Sequence, residues 1–235
     1  LRNVIAMEKE AAKASGDNNP YSALAKFFKA YFFVKMSLKV GDIPMSDTLK
    51  GLDNPKPKYD TQKDVFKQSL QLLEDANTQL ASLIAASNTS LLGDFYYQER
   101  ISGAKDPLTA LKQWQKVVNT FKLRVLIELS KRADDADLNV KQKFADVLSN
   151  PAKYPIMNDL TDNLEYVYND AFNQYPNNKN NYGNDALRLC VAATWLNTLA
   201  GLKDLRAMKV AEPARGLGYS CLLYTSDAAD DLLCV

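Results

Sequence analysis

The sequence predicts an all-α fold of stacked helix hairpins joined by long loops, on three observations. Apolar residues recur at three and four positions through most of the chain, proline and glycine gather between these stretches, and no segment alternates with the period of two that a half-buried strand needs. Several of the apolar faces are too wide for one neighbour, which is the arrangement of a helical solenoid. A strict repeat of about 34 residues is not visible, so any tetratricopeptide character is degenerate.

The first helix is expected over residues 2–15, where Glu, Lys and Ala mix with Val4, Ile5 and Met7, and Ser15 to Pro20 supplies the break. From Tyr21 to Val40 no proline or glycine occurs, and Leu24, Phe28, Tyr31, Phe32 and Met36 share a face, while Phe27 and Phe33 widen it. Gly41 to Tyr59 is a loop of about 19 residues holding Pro44, Pro55 and Pro57. Asp60 or Thr61 then caps a third helix that runs to about Ala86, with Phe66, Leu70, Leu73, Asn77 or Ala76, Leu80 and Ile84 inward and Lys67, Gln71, Glu74, Asp75 and Thr78 outward. After a connector from Gly93 to Asp106, Pro107 suits the first position of a helix of about 25 residues. Its stripe is Leu111, Trp114, Val118, Phe121, Val125 and Leu129; Lys122 and Arg124 lie among the cations on its other faces, and Lys131 and Arg132 sit at its negative end. A short helix over Val140 to Leu148 and a final one over Asp185 to Leu202 complete the pattern.

Composition removes several classes of function. The chain has 235 residues, 46% hydrophobic, with 29 basic against 28 acidic side chains, so no strong positive field recruits nucleic acid or an anionic membrane. It contains no histidine, which removes imidazole-based triads and most zinc sites. The longest uncharged stretch, Ala76 to Gly93, holds too many amides and hydroxyls for hydrocarbon. Leu1 to Lys13 carries charges at helical spacing in place of the apolar core of a signal peptide, so the chain is expected to begin inside a domain.

Cys221 to Asp231 resembles the translation of a transposon adapter used in sequencing libraries. The native domain is therefore expected over residues 1–220 and residues 221–235 as a non-native tail. Without the tail only Cys190 remains, within an apolar helical run, as a structural thiol that cannot form an internal disulfide.

Five segments in order carry a resemblance. Phe27 to Phe33 leads into Val40-Gly41-Asp42-Ile43-Pro44-Met45-Ser46. Pro57-Lys58-Tyr59-Asp60-Thr61-Gln62 precedes a helix ending in Leu73-Glu74-Asp75-Ala76. Gly93-Asp94-Phe95-Tyr96 forms a connector, Trp114 precedes Asn119 to Arg124, and Leu199 to Arg206 ends a helix. Together they resemble the SusD/RagB family of outer-membrane nutrient-binding lipoproteins. Met45 stands where many relatives carry tyrosine and Leu205 where proline is usual.

The resemblance implies a tetratricopeptide-like scaffold that sits as a lid on a TonB-dependent, SusC-like transporter and captures oligosaccharide or another nutrient without chemistry. It also implies a surface-exposed outer-membrane lipoprotein, tethered by an N-terminal lipidated cysteine that this chain does not contain. No catalytic residue, metal or cofactor is expected.

The ligand surface is expected over Asn158 to Asn184, where Tyr166, Tyr168, Phe172, Tyr175 and Tyr182 lie among nine asparagines, Asn178 included. Sugar rings present apolar C–H faces and hydroxyls, which aromatic planes beside amides satisfy. The same tyrosines also suit the anchoring of a long loop, with asparagines filling its turns. Two other functions remain open: a glycosidase built on two carboxylates, and a helical adaptor for a protein partner. Gly41 to Pro44 reads as a helix stop and the Trp114 to Arg124 run as core.

Overall fold

Three of the helices begin where a short side chain closes the first turn. The computed structural model describes residues 1–48, 50, 53–94, 96–97, 106–168, 171, 174–175 and 192–207. The chain divides into two units, Leu1–Val167 and Tyr168–Val235. The first holds α1 (Arg2–Ser15), α2 (Pro20–Val40), α3 (Gln62–Ala85), α4 (Pro107–Glu128) and α5 (Val140–Ser149); the second holds α6 (Ala193–Gly201). Asn19 accepts from the Ser22 amide and donates to the Gly16 carbonyl, with Pro20 at the start of α2. Thr61 caps α3 through the Asp64 amide, and Asp106 caps α4 through the Thr109 amide ahead of Pro107.

Helices α1 to α4 pack in sequence, α1 on α2, α2 on α3 and α3 on α4, as antiparallel hairpins do. The wide apolar surface of α2 is divided between two clusters. Phe27, Ala30 and Val34 join the main core with Leu73, Leu80, Leu111 and Trp114. Phe33 joins Ile43 and Val65 in a second, smaller one. Trp114 is 1% exposed. The rings of Phe27, Phe28, Tyr96 and Tyr97 meet it edge-on at 5.5 to 5.7 Å between centroids. Its indole N–H donates to the buried Asp94 carboxylate at 2.7 Å, which joins the Gly93-Asp94 connector to the tryptophan of α4.

The loop after α2 is closed by two of the segments singled out in the sequence. Gly41 takes φ 84°, which an L side chain disfavours, and its N–H returns to the Ser37 carbonyl. Asp60 is not the helix cap. Ile43 and Asp60 exchange backbone hydrogen bonds in an isolated antiparallel bridge, and the Asp60 carboxylate accepts from the amides of Met45 and Ser46 and from the Ser46 hydroxyl. Asp42 in turn accepts from the Gln62 amide. The Ser46 bonds, hydroxyl first, hold the Asp60 carboxyl below the usual carboxylate range against the opposing effect of burial. Asp60→Ala is expected to free two backbone amides and to raise hydrogen exchange at Met45 and Ser46 by about tenfold, with the exchange of α4 unchanged.

Between α3 and α4 lies a buried polar junction. The Asn77 side-chain oxygen accepts from Gln115 and Asn119, both at 3.0 Å. Asn77 and Asn119 then donate to the carbonyls of Lys153 and Pro155. This joins the residues after α5 to the hairpin, because amides removed from water must find partners within the protein.

Three expectations are corrected. Helix α4 ends at Glu128 and passes into a 3-10 turn over Ser130–Arg132, so Lys131 and Arg132 follow the helix instead of closing it. Lys122 is buried rather than outward-facing, paired with Glu74 of α3 and placed 4.7 Å from the Tyr154 ring centroid. Among the described residues of the second unit, α6 starts at Ala193, because Ala192 is extended at ψ 130°. Leu199 is its buried residue, and Asp204 beyond it accepts from the Arg206 amide and guanidinium. Cys190, the residues 185–191 assigned to that helix, and the tail 221–235 lie outside the described residues.

Candidate functional site

An apolar groove of about 310 Å³ opens between α1, α2 and the segment that carries Asp94. Its lining includes Met7, Tyr21, Phe28, Phe32, Tyr96 and the buried Trp114. The spacing of α2 places Phe28 and Phe32 one turn apart on one side, and their rings stack at 6.3 Å and 27°. Phe32 is 41% exposed although it flanks the core. The Tyr21 hydroxyl donates to the Leu92 carbonyl and accepts from the Leu92 amide, which pins the far wall to α2. Aromatic planes with a few fixed polar groups at their margin suit a ligand with apolar faces and hydroxyl edges.

The tyrosines expected to carry the ligand are found in both units. Tyr166 is exposed in the first, 6.1 Å from the Tyr96 ring, so it adjoins the wall of the groove. In the second unit Tyr168 and Tyr175 are exposed and meet edge-to-face at 5.0 Å and 88°. Phe172, Asn178 and Tyr182 lie outside the described residues. The sequence assigned no ligand contact to Tyr21, Phe28, Phe32 or Tyr96. Phe28 and Phe32 step by four beside Phe27 and Tyr31, the spacing of core residues, so their pattern alone did not mark them as a site.

The carboxylates with shifted titration among the described residues are pushed downward, by donors that hold them ionised. Asp162 is an example: burial pushes it up, but Lys116 at 2.7 Å and the Asn158 amide outweigh that and keep it charged. A general acid needs the reverse, a carboxyl kept protonated near neutral pH. No group of three or more metal-ligating side chains occurs among the described residues, and no described helix is long and apolar enough to cross a membrane.

A smaller depression of about 260 Å³ is lined by Phe27, Tyr31, Phe121 and Arg124. Arg124 is exposed there and makes no hydrogen bond or ion pair among the described residues.

Two crystal structures of SusD homologues from Bacteroides fragilis share this fold. One has 31% identity, covers 91% of this chain and 42% of its own, and superposes with a TM-score of 0.68. The other has 32% identity, covers 90% and 41%, and has a TM-score of 0.66. The chain thus spans less than half the length of these relatives. No curated protein matches it. A family model described as starch-binding associating with outer membrane matches residues 1–227. On that match, which takes in the Asp60 clamp, the Asp94 to Trp114 bond and the aromatic groove, the chain belongs to the SusD-like family.

Proposed function

We propose that this chain is the glycan-binding part of a SusD-like nutrient receptor, one that captures oligosaccharide at the outer-membrane surface and passes it unaltered to a SusC-like, TonB-dependent transporter. The aromatic groove carries the reading. Phe28, Phe32 and Tyr96 offer ring faces, Tyr166 extends the surface past Tyr96, and the Asn3 and Asp94 side chains border the groove. Sugar C–H faces would lie on the rings while hydroxyls bond at the margin or to water. Tyr168 and Tyr175, with Phe172, Asn178 and Tyr182 of the same segment, are proposed as a second set of contacts in the other unit. A lipid anchor would hold the receptor beside its transporter.

Affinity electrophoresis through soluble starch, with bovine serum albumin as the unretained control, tests the binding. Wild type is expected to be retarded, Phe32→Ala combined with Tyr166→Ala to lose most of that retardation, and Tyr175→Ala to lose part of it. Each lost aromatic contact is of order 1 kcal/mol, or about fivefold in affinity. Unchanged helical circular dichroism shows that the variants remain folded. Equal retardation of wild type and the Phe32/Tyr166 variant would remove the groove from the site. Release of reducing sugar by the purified chain would overturn the non-catalytic assignment.

A further inference from the structure

A second depression, of about 480 Å³, lies on the opposite chemistry to the groove: it is lined by charge. Lys67, Gln68 and Glu74 come from α3, Lys122 from α4, and Lys143 and Asp146 from α5, with Tyr154 closing one side. The two carboxylates are already engaged. Glu74 accepts from Lys122 at 2.5 Å, from the Tyr154 hydroxyl at 2.9 Å and from Lys153 at 3.2 Å. Asp146 accepts from Gln142. The ammonium groups are less committed. Lys143 donates to the Leu138 carbonyl, and Lys67 makes no hydrogen bond or ion pair among the described residues, although Asp137 acts on it at longer range. Burial first, and then the like charges of Lys122 and Lys67, push the Lys143 ammonium below the usual lysine range. Three cations therefore converge with more N–H donors than the protein's own acceptors use.

We propose that this cleft binds an anionic oxygen group, a carboxylate, sulfate or phosphate, between Lys67 and Lys143 with Lys122 behind it and the Gln68 amide at its edge. Charge-assisted bonds from ammonium groups are the strong class, and a bound anion relieves the repulsion among the three lysines. The site is separate from the aromatic groove and does not depend on the neutral-glycan reading.

Isothermal titration of the full chain at low ionic strength tests it, with sodium sulfate, sodium phosphate and sodium glucuronate as probes and sodium chloride at matched ionic strength as the blank. Saturable binding in about the millimolar range is expected for at least one probe. Tighter glucuronate binding would identify a sugar acid as the source of the group, and tighter sulfate or phosphate binding an ester. Lys67→Gln combined with Lys143→Gln is expected to weaken binding about tenfold or more, Lys143→Arg to retain it, and Lys112→Gln, exposed elsewhere on α4, to leave it unchanged. No saturable heat above the chloride blank, or equal affinity in the Lys67/Lys143 double variant, would overturn the assignment. Neither result bears on starch retardation, which is read separately on the aromatic variants.

Discussion

Trp114→Ala is expected to lower the unfolding free energy by about 4 kcal/mol, a value typical of a large aromatic side chain removed from a packed core. Trp114 is 1% exposed and meets four aromatic rings edge-on, so truncation leaves a cavity that rigid neighbours fill only in part. It also deprives the Asp94 carboxylate of a donor at 2.7 Å. Trp114→Phe separates the two effects. Much of the apolar volume is kept and the indole N–H is lost, so a penalty of about 1–3 kcal/mol is expected from that hydrogen bond and the residual packing change. Urea unfolding followed by far-ultraviolet circular dichroism reads both. A midpoint for Trp114→Ala equal to wild type would mean that the ring is not the centre of this core.

Glu74→Gln is expected to cost about 2 kcal/mol at neutral pH. That lies below the usual range for breaking a buried ion pair, because the Glu74 side chain is 28% exposed, against 6% for Lys122. The amide replaces a carboxylate that neutralises Lys122 and Lys153 and accepts from the Tyr154 hydroxyl. Its pH signature is distinctive. Burial pushes the Glu74 carboxyl up, but the Lys122 bond and charge, with the Tyr154 and Lys153 bonds, outweigh that and leave it below the ordinary glutamate range. A carboxyl depressed in the folded state contributes stability that is fully present above its unfolded value, about 4.3, and lost as pH falls through the folded value. Wild type should therefore lose this contribution on acidification below about pH 4.5, and Glu74→Gln should show a shallower decline over the same interval. Combining Glu74→Gln with Lys122→Met is expected to recover part of the loss, since a methionine leaves no buried ammonium to satisfy. A double variant no better than the single would place the cost in packing instead of charge.

The boundaries of α2, α3 and α5 were legible because local chemistry sets them. Pro20, Thr61, Gly41 and the Asn150-Pro151 pair act within one turn of the chain, and a single sequence carries that information in full. The end of α4 was less so, since nothing between Leu129 and Arg132 forbids a helix. Its conversion to a 3-10 turn accompanies the reversal that brings α5 back against α4.

The candidate site divided along the same line. Tyr166, Tyr168 and Tyr175 are exposed aromatics in a polar segment, a property visible in composition. The groove was not visible. Phe28 and Phe32 carry the same pattern as core residues, and the packing of α1 beside Leu91 to Asp94 and Tyr96 leaves both lining a groove, with Phe32 exposed. Lys67, Lys122 and Lys143 are likewise ordinary helix cations until three helices bring them together.

Apolar spacing, capping residues and the missing histidine were enough to establish an α-helical chain, its order of hairpins and the absence of imidazole chemistry, because those properties are local or compositional. The docking of Asp60 on Met45 and Ser46, the Asp94 to Trp114 bond, the burial of Lys122 and the two clefts of opposite polarity arose only on packing. Each depends on groups at least 14 residues apart, and the partner of a side chain at that distance is chosen by which helices meet.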